Sequence, residues 1–150
     1  MIYYKDGDLL KSDCTVIMHQ ANCFSTMGAG IARQIAFLYP GAERADREHP
    51  CSPKGRLGSF SYSEEKDFTV VNLYGQFSFG PGRQTDYRAL QNAIDKFFTH
   101  AKESNIDLSK VGVPFNLGSG LAGGRWSIVE RILKEESDKH GVDIYVYKLQ

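Results

Sequence analysis

The fold is decided by a stretch that begins Cys14-Thr15-Val16-Ile17-Met18-His19-Gln20, crosses the small and polar segment Ala21 to Gly30, and continues Ile31-Ala32-Arg33-Gln34-Ile35-Ala36-Phe37-Leu38. Its first part is a nearly continuous apolar run with β-branched residues, the pattern of a strand covered on both faces. In its last part Ile31, Ile35 and Leu38 share one helical face, and Pro40-Gly41 is expected to stop the pattern. Strand, loop and helix in that order form the repeating unit of α/β folds.

Outward from this unit the same alternation recurs. Ile2 to Lys5 is a short strand candidate, and Ser59 to Ser63 and Phe68 to Tyr74 read as an antiparallel hairpin around the charged turn Glu64-Glu65-Lys66-Asp67. Thr85 is the expected N-cap of a helix carrying Tyr87, Leu90, Ile94, Phe97 and Ala101 on one face. Val111 to Phe115 is a strand, Trp126, Val129 and Leu133 mark a further amphipathic helix, and Ile144 to Tyr147 is a last strand. The expected class is α/β, with a mixed sheet covered by helices on both faces and a ligand site beyond the carboxyl ends of its strands.

The 150 residues fit one domain, and 41% hydrophobic content supplies a core. Lys plus Arg and Asp plus Glu both number 18, so no overall field attracts nucleic acid or an anionic membrane, and an anionic ligand must be held locally. The N-terminal residues lack the apolar core of a secretory signal, and no apolar run spans a bilayer, so a cytoplasmic protein is expected. Cys14, Cys23 and Cys51 form no Cys-x-x-Cys pair, which argues against a disulfide framework and a zinc knuckle. No metal or organic cofactor is expected.

Two glycine-rich segments each follow an expected strand and lead into an expected helix: Asn22 to Ala32, and Asn116 to Gly124. Small residues let backbone N–H groups approach an anion, and a helix N-terminus adds partial positive charge, so the pair is suited to clamp a diphosphate. Gly118, Gly120 and Gly123 also match Gly-x-Gly-x-x-Gly, with Asp143 downstream. A dinucleotide fold fails on position, because Asp143 precedes the last strand instead of ending it. P-loop, nucleophile-elbow and His-Glu-x-x-His patterns are missing.

Taken in order, Gly7-Asp8-Leu9, His19-Gln20-Ala21-Asn22 with Met27-Gly28-Ala29-Gly30-Ile31-Ala32, and Val113-Pro114 with Gly118-Ser119-Gly120-Leu121 resemble the successive signatures of macrodomains. The resemblance extends over essentially the whole chain. It implies a three-layer α/β/α fold with a mixed, mostly six-stranded sheet and a cleft for ADP-ribose or its derivatives. His19 to Asn22 and Ala36 to Ala42 are most similar to the branch of ADP-ribose 1″-phosphate phosphatases and ADP-ribosyl-glutamate hydrolases, on the phosphatase side. Carried over by position, Asp8 would accept from the adenine amine with Leu9 beside it, and Asn22 would face the distal ribose. Gly28, Ala29, Gly30 and Ile31 would line one side of the diphosphate, and Gly118, Ser119, Gly120, Leu121 and Ala122 the other. Tyr147 or Leu149 would flank the adenine.

Glutamate-linked hydrolases of that branch use a Lys and an Asp where this chain has Gln76 and Ala122. A lysyl adduct and a carboxylate acid or base are therefore not available at those positions. His19 is the expected catalytic residue, as a general acid or base ending a strand at the cleft; the alternative is a buried imidazole bonding a loop. Asp86, following Thr85, is read as a first-turn carboxylate stabilising its helix in preference to a catalytic acid. His49, His100 and His140 are read as solvated surface. Tyr74, Phe77 and Phe79 form either a lid or a small satellite core. The implied function is a hydrolase acting on the distal ribose of ADP-ribose derivatives, as a 1″-phosphate phosphatase or in de-ADP-ribosylation or deacylation. The alternative is a non-catalytic ADP-ribose reader. The expected protein is a monomer whose ligand is ADP-ribose or an ADP-ribosylated molecule, with no membrane partner, and a nucleic-acid module is disfavoured by the charge balance.

Overall fold

A computed structural model describes residues 1–149. The elements follow in the order β1 (Ile2–Asp6), a 3-10 turn (Leu9–Lys11), β2 (Val16–Gln20), α1 (Gly30–Leu38), α2 (Pro40–Arg47), α3 (Pro53–Arg56), β3 (Phe60–Glu64), β4 (Thr69–Leu73), α4 (Tyr87–Glu103), β5 (Val111–Pro114), α5 (Trp126–His140) and β6 (Ile144–Lys148). The strands form one mixed sheet in the order β1-β6-β5-β2-β4-β3. Among the strands only the β3–β4 pairing is antiparallel, the expected hairpin, with Phe60 opposite Leu73 and Glu64 opposite Thr69. The other pairings between these strands are parallel, and an isolated antiparallel bridge joins Gln76 to Thr85.

Side chains alternate across each strand, so one sheet serves two cores. Val16 and Met18 of β2, Val71 and Leu73 of β4, and Val111 and Val113 of β5 join Leu90, Ile94, Phe97 and Phe98 of α4 and Val129 and Leu133 of α5. On the opposite face Ile17 packs with Leu9 and Cys14, and Val70 packs with Ile35 of α1, Ala42 of α2 and Met27. The result is a three-layer α/β/α arrangement with α4 and α5 on one side and α1 and α2 on the other.

As expected, α1 stops before Pro40-Gly41, with Tyr39 as its C-cap; Pro40 then opens a second helix, α2, a position where a missing N–H costs nothing. Gly41 is required there by space, since a Cβ would lie 2.6 Å from Ser63 Oγ on β3. One expectation needs correction: the N-cap of α4 is Asp86, whose carboxylate accepts from Ala89 N at 3.0 Å, while Thr85 is buried and donates to Gly118 O.

Candidate functional site

Beyond the carboxyl ends of β2, β4 and β5 lies a cleft of about 830 Å³, walled by the two glycine-rich segments and by Gln76 to Gln84. The first wall is Thr26 to Ala32, where α1 begins. Its N-cap, Ala29, offers no side-chain acceptor, and the first helical hydrogen bond to the loop is Arg33 N to Ala29 O. The N–H groups of Gly28 through Ala32 therefore have no acceptor among the described residues. The second wall turns on Asn116, held at φ +74°, whose carbonyl accepts from Ser119 N at 2.8 Å and Gly120 N at 3.0 Å. The N–H groups of Gly118, Leu121 and Ala122 likewise have no acceptor among the described residues. Unpaired N–H groups at a helix start and in a facing turn form an anion cradle.

The floor is polar and uncharged. Gln20 Nε2 donates to Gln76 Oε1 and to Thr85 Oγ1, each at 2.9 Å, and Gln76 Nε2 donates to Ser78 O at 2.7 Å. Gln20 Oε1 is buried without a hydrogen-bond partner among the described residues. Gly118 takes φ +68°, and a Cβ there would lie 3.0 Å from Gln20 Oε1, so the turn approaches the floor as closely as backbone alone allows. Gln84 N donates to Ala122 O at 2.7 Å and ties the third segment to the second wall.

The structure brings Asn22, Gly28, Ala29, Gly30, Ile31, Gly118, Gly120, Leu121 and Ala122 together around the cleft. Asn22 spends its amide on its own loop, donating to Thr26 O and accepting from Phe24 N. Ser119 lies outside the lining, within its turn. Asp8 caps the 3-10 turn through Leu10 N, and Leu9 is buried in a cluster with Ile17; neither lines the cleft. Ile31 and Tyr147 pack against that cluster, so Ile31 links it to the cleft wall. Leu149 is exposed and does not line the cleft.

The expectation that His19 points into the cleft does not hold. Its position in β2 directs it toward the α1–α2 layer, where it is fully buried with Nε2 2.6 Å from Asn72 Oδ1. Asn72 Nδ2 in turn donates to Ala42 O and Ser61 Oγ. Burial lowers the His19 pKa to about 4, outweighing the Asn72 bond, so the ring is neutral near pH 7. The adjacent Gln20, on the other side of the strand, is the β2 residue that reaches the floor.

The first wall is braced from behind by residues that carry no sequence motif. Arg56 donates to Ser25 Oγ at 2.6 Å and to Cys23 O at 3.4 Å, and Ser25 Oγ donates to Asp46 O. Tyr74 OH donates to Asp46 Oδ1 at 2.7 Å. Burial raises both the Asp46 carboxyl and the Tyr74 phenol. Burial also pushes the Cys23 thiol up to about 11, which removes it as a nucleophile near neutrality. The aromatic trio divides: Tyr74 and Phe77 form the satellite core, with Phe77 edge-on to Phe24, while Phe79 is 56% exposed at the cleft mouth. Gln20, Gln84 and Phe115 also line the cleft and were not expected to; only Gln20, beside the quoted His, carried a positional signal.

No family profile matches the chain. It is 32% identical to an uncharacterized 17.5 kDa protein of Enterobacteria phage T4, over 93% of this chain and 92% of the other. It is 30% identical to the ADP-ribose 1″-phosphate phosphatase of Saccharomyces cerevisiae, over 96% of this chain and 97% of the relative. The macrodomain of Mycobacterium tuberculosis DarG superposes with a TM-score of 0.77 at 27% identity, covering 98% of this chain and 97% of the other. With full-length coverage in sequence and in structure, and with the two-walled cleft where the resemblance requires it, this chain belongs to the macrodomain family.

Proposed function

We propose that the cleft binds ADP-ribose and that the protein hydrolyses a group carried by the distal ribose, with ADP-ribose 1″-phosphate the first substrate to test. The observation that carries this reading is the pair of facing segments with unpaired N–H groups, Gly28 to Ala32 and Gly118, Leu121 and Ala122, on either side of one cleft. A diphosphate between them would accept from both and cap α1, and no cationic side chain is needed. The unpartnered Gln20 Oε1 supplies an acceptor on the floor for a ribose hydroxyl or a water. The likeness to the yeast phosphatase supports the choice of substrate.

With Gln76 in the floor no lysyl adduct forms, and His19 lies outside the cleft. Catalysis on this reading is positional. The walls hold the diphosphate, a water ordered beside it attacks the substituent, the bond from that substituent to the ribose oxygen breaks, and the water's proton passes through the ligand's own phosphate oxygens to the departing hydroxyl. The protein works as one domain over residues 1–150, as a monomer, and in the cytoplasm. Its free thiols Cys14, Cys23 and Cys51 are consistent with a reducing compartment, and none of its described helices is long and apolar enough to cross a membrane.

Calorimetric titration with ADP-ribose, with AMP as the control, is expected to give saturable binding much tighter for ADP-ribose. No heat at millimolar ligand would overturn the reading. Phosphate release from ADP-ribose 1″-phosphate under multiple turnover then tests the hydrolase. A second reading, a non-catalytic reader, is favoured by one observation: no ionisable side chain lines the cleft among the described residues. Tight binding with no release from phosphate, ADP-ribosyl or acyl substrates would select it.

A further inference from the structure

Across the α4–α5 interface, Asp95 of α4 meets Glu136 and His140 of α5. His140 Nε2 lies 2.7 Å from Asp95 Oδ1 and 3.6 Å from Glu136 Oε1, and the three ligand-type atoms lie within 4.8 Å of one another. The Glu136 side chain is only 5% exposed and that of His140 8%, against 34% for Asp95. His140 is thus no solvated surface residue, contrary to its reading from sequence.

Hydrogen bonds within the protein satisfy most of this cluster without a ligand. With a proton on Nε2, His140 donates to Asp95, and Lys102 Nζ sits 3.2 Å from Nδ1 and donates to His140 O at 2.7 Å. Glu136 Oε2 accepts from Gln91 Nε2 at 3.0 Å. What this leaves over is Glu136 Oε1, buried and without a hydrogen-bond partner among the described residues. A carboxylate oxygen shut away from water without a donor is costly, and this one faces an imidazole and a second carboxylate.

We propose that Asp95 Oδ1, Glu136 Oε1 and His140 Nε2 bind a divalent transition-metal ion, with zinc as the favoured occupant and a water on the open Asp95 side as fourth ligand. One imidazole and two carboxylates are donors that suit zinc, whereas magnesium and calcium prefer an all-oxygen shell. Bonds of about 2.0–2.2 Å in a tetrahedron set neighbouring ligand atoms roughly 3.3–3.6 Å apart, so the Asp95 contact must open from 2.7 Å, while Glu136 Oε1, at 3.6 Å, is already close to that spacing. The imidazole proton moves to Nδ1, which then gives up its contact with Lys102 Nζ, and Lys102 keeps its bond to the His140 carbonyl. Lys139, now 3.0 Å from Asp95 Oδ1 and largely exposed, swings to solvent. Glu136 and His140 share one face of α5 at i,i+4 spacing, but the third ligand, Asp95, comes from α4, so the local sequence carries only part of the set.

His140 ends α5, whose other end leads from the second cleft wall, about 20 Å away at 1.5 Å rise per residue. The ion therefore clips α4 to α5 and acts on stability, not on the cleft. The test is calorimetric titration of the untagged full chain with zinc after chelator treatment, paired with thermal melts. The expected result is one equivalent bound with a dissociation constant on the order of micromolar or tighter, a melting temperature raised by several degrees, and no binding of magnesium. Glu136→Gln and His140→Gln are each expected to weaken zinc by at least about 10-fold, the former keeping side-chain volume should the latter fold poorly. Absence of stoichiometric binding at millimolar zinc, or binding that survives both substitutions and so belongs to the thiols or other imidazoles, would overturn the proposal.

Discussion

The two faces of the sheet are built from the same strands but to different ends. Toward α4 and α5 the strands present Val16, Met18, Val71, Leu73, Val111 and Val113, all buried and all apolar. Toward α1 and α2, β2 and β4 alternate Ile17 and Val70 with the paired residues His19 and Asn72, a buried polar couple in mid-sheet. Around that couple run the bonds to the Ala42 carbonyl and Ser61, and the Tyr74–Asp46 and Arg56–Ser25 contacts that hold the first cleft wall. The first face gives cohesion by area. The second gives up some apolar burial for directional bonds, which fix where a loop sits.

The largest effect should come from the cohesive face. Phe97 is fully buried among Phe60, Phe98 and the strand side chains, and Phe97→Ala is expected to cost about 3–5 kcal/mol in urea unfolding. The folded fraction should keep its affinity for ADP-ribose. Asn72→Ala, on the other face, should cost about 1–3 kcal/mol by unpairing His19 and the Ala42 carbonyl. Equal losses would erase the contrast between the faces.

The polar face should also be the acid-sensitive one. The folded pKa of His19, about 4, lies below the ordinary histidine value of 6.5. The folded state thus binds fewer protons than the unfolded chain, so the stabilisation is complete above pH 6.5 and is lost as pH falls toward 4. The full shift corresponds to about 3 kcal/mol. His49, lowered by partial burial, acts in the same direction, whereas the raised carboxyl of Asp46 opposes it at the acid end. Urea unfolding at pH 7, 6 and 5 should show a steep decline that flattens in His19→Gln. Parallel slopes in the two proteins would mean that some other group carries the acid response.

The difference between the faces also explains what was legible in the sequence. Periodicity reports apolar stripes, so the six strands, α1, α4 and α5 were readable from Val, Ile, Leu and Phe spacing. The helix α2, with only Ala42 and Asp46 buried, has no such stripe, and the four-residue α3 is too short to have one. At the cleft, glycine-rich turns announced both walls because only small residues permit their geometry. The direction of His19 was not readable, since strand alternation assigns a face only once the neighbouring layers are known. The place of Gln20 and Thr85 in the floor was not readable either, because residues that bond to one another across three segments leave no trace in local sequence.

A smaller effect, confined to the cleft, should follow from Gly118→Ala. The position needs φ +68°, and the added methyl would press on Gln20 Oε1 and lie 3.4 Å from Thr85 Oγ1. ADP-ribose affinity should fall about 10-fold, or about 1.4 kcal/mol, as the turn and its unpaired N–H groups move off the floor. Calorimetry that finds unchanged affinity would shift the anion cradle wholly to the first wall, Gly28 to Ala32.

The smallest effect separates a structural carboxylate from a chemical one. Asp86 sits between the cleft segment and α4, its N–H donating to Gly75 O at 2.7 Å and its Oδ1 accepting from Ala89 N. As a helix cap, it should cost about 1 kcal/mol on Asp86→Ala, and Asp86→Asn should restore most of that because the amide oxygen still accepts. Neither substitution should change turnover of ADP-ribose 1″-phosphate by the folded protein. A carboxylate acting as a general acid would instead lose turnover in both variants, including the Asn form whose stability is restored. Because the two roles move different readouts, the pair of variants decides between them even if the stability change is small.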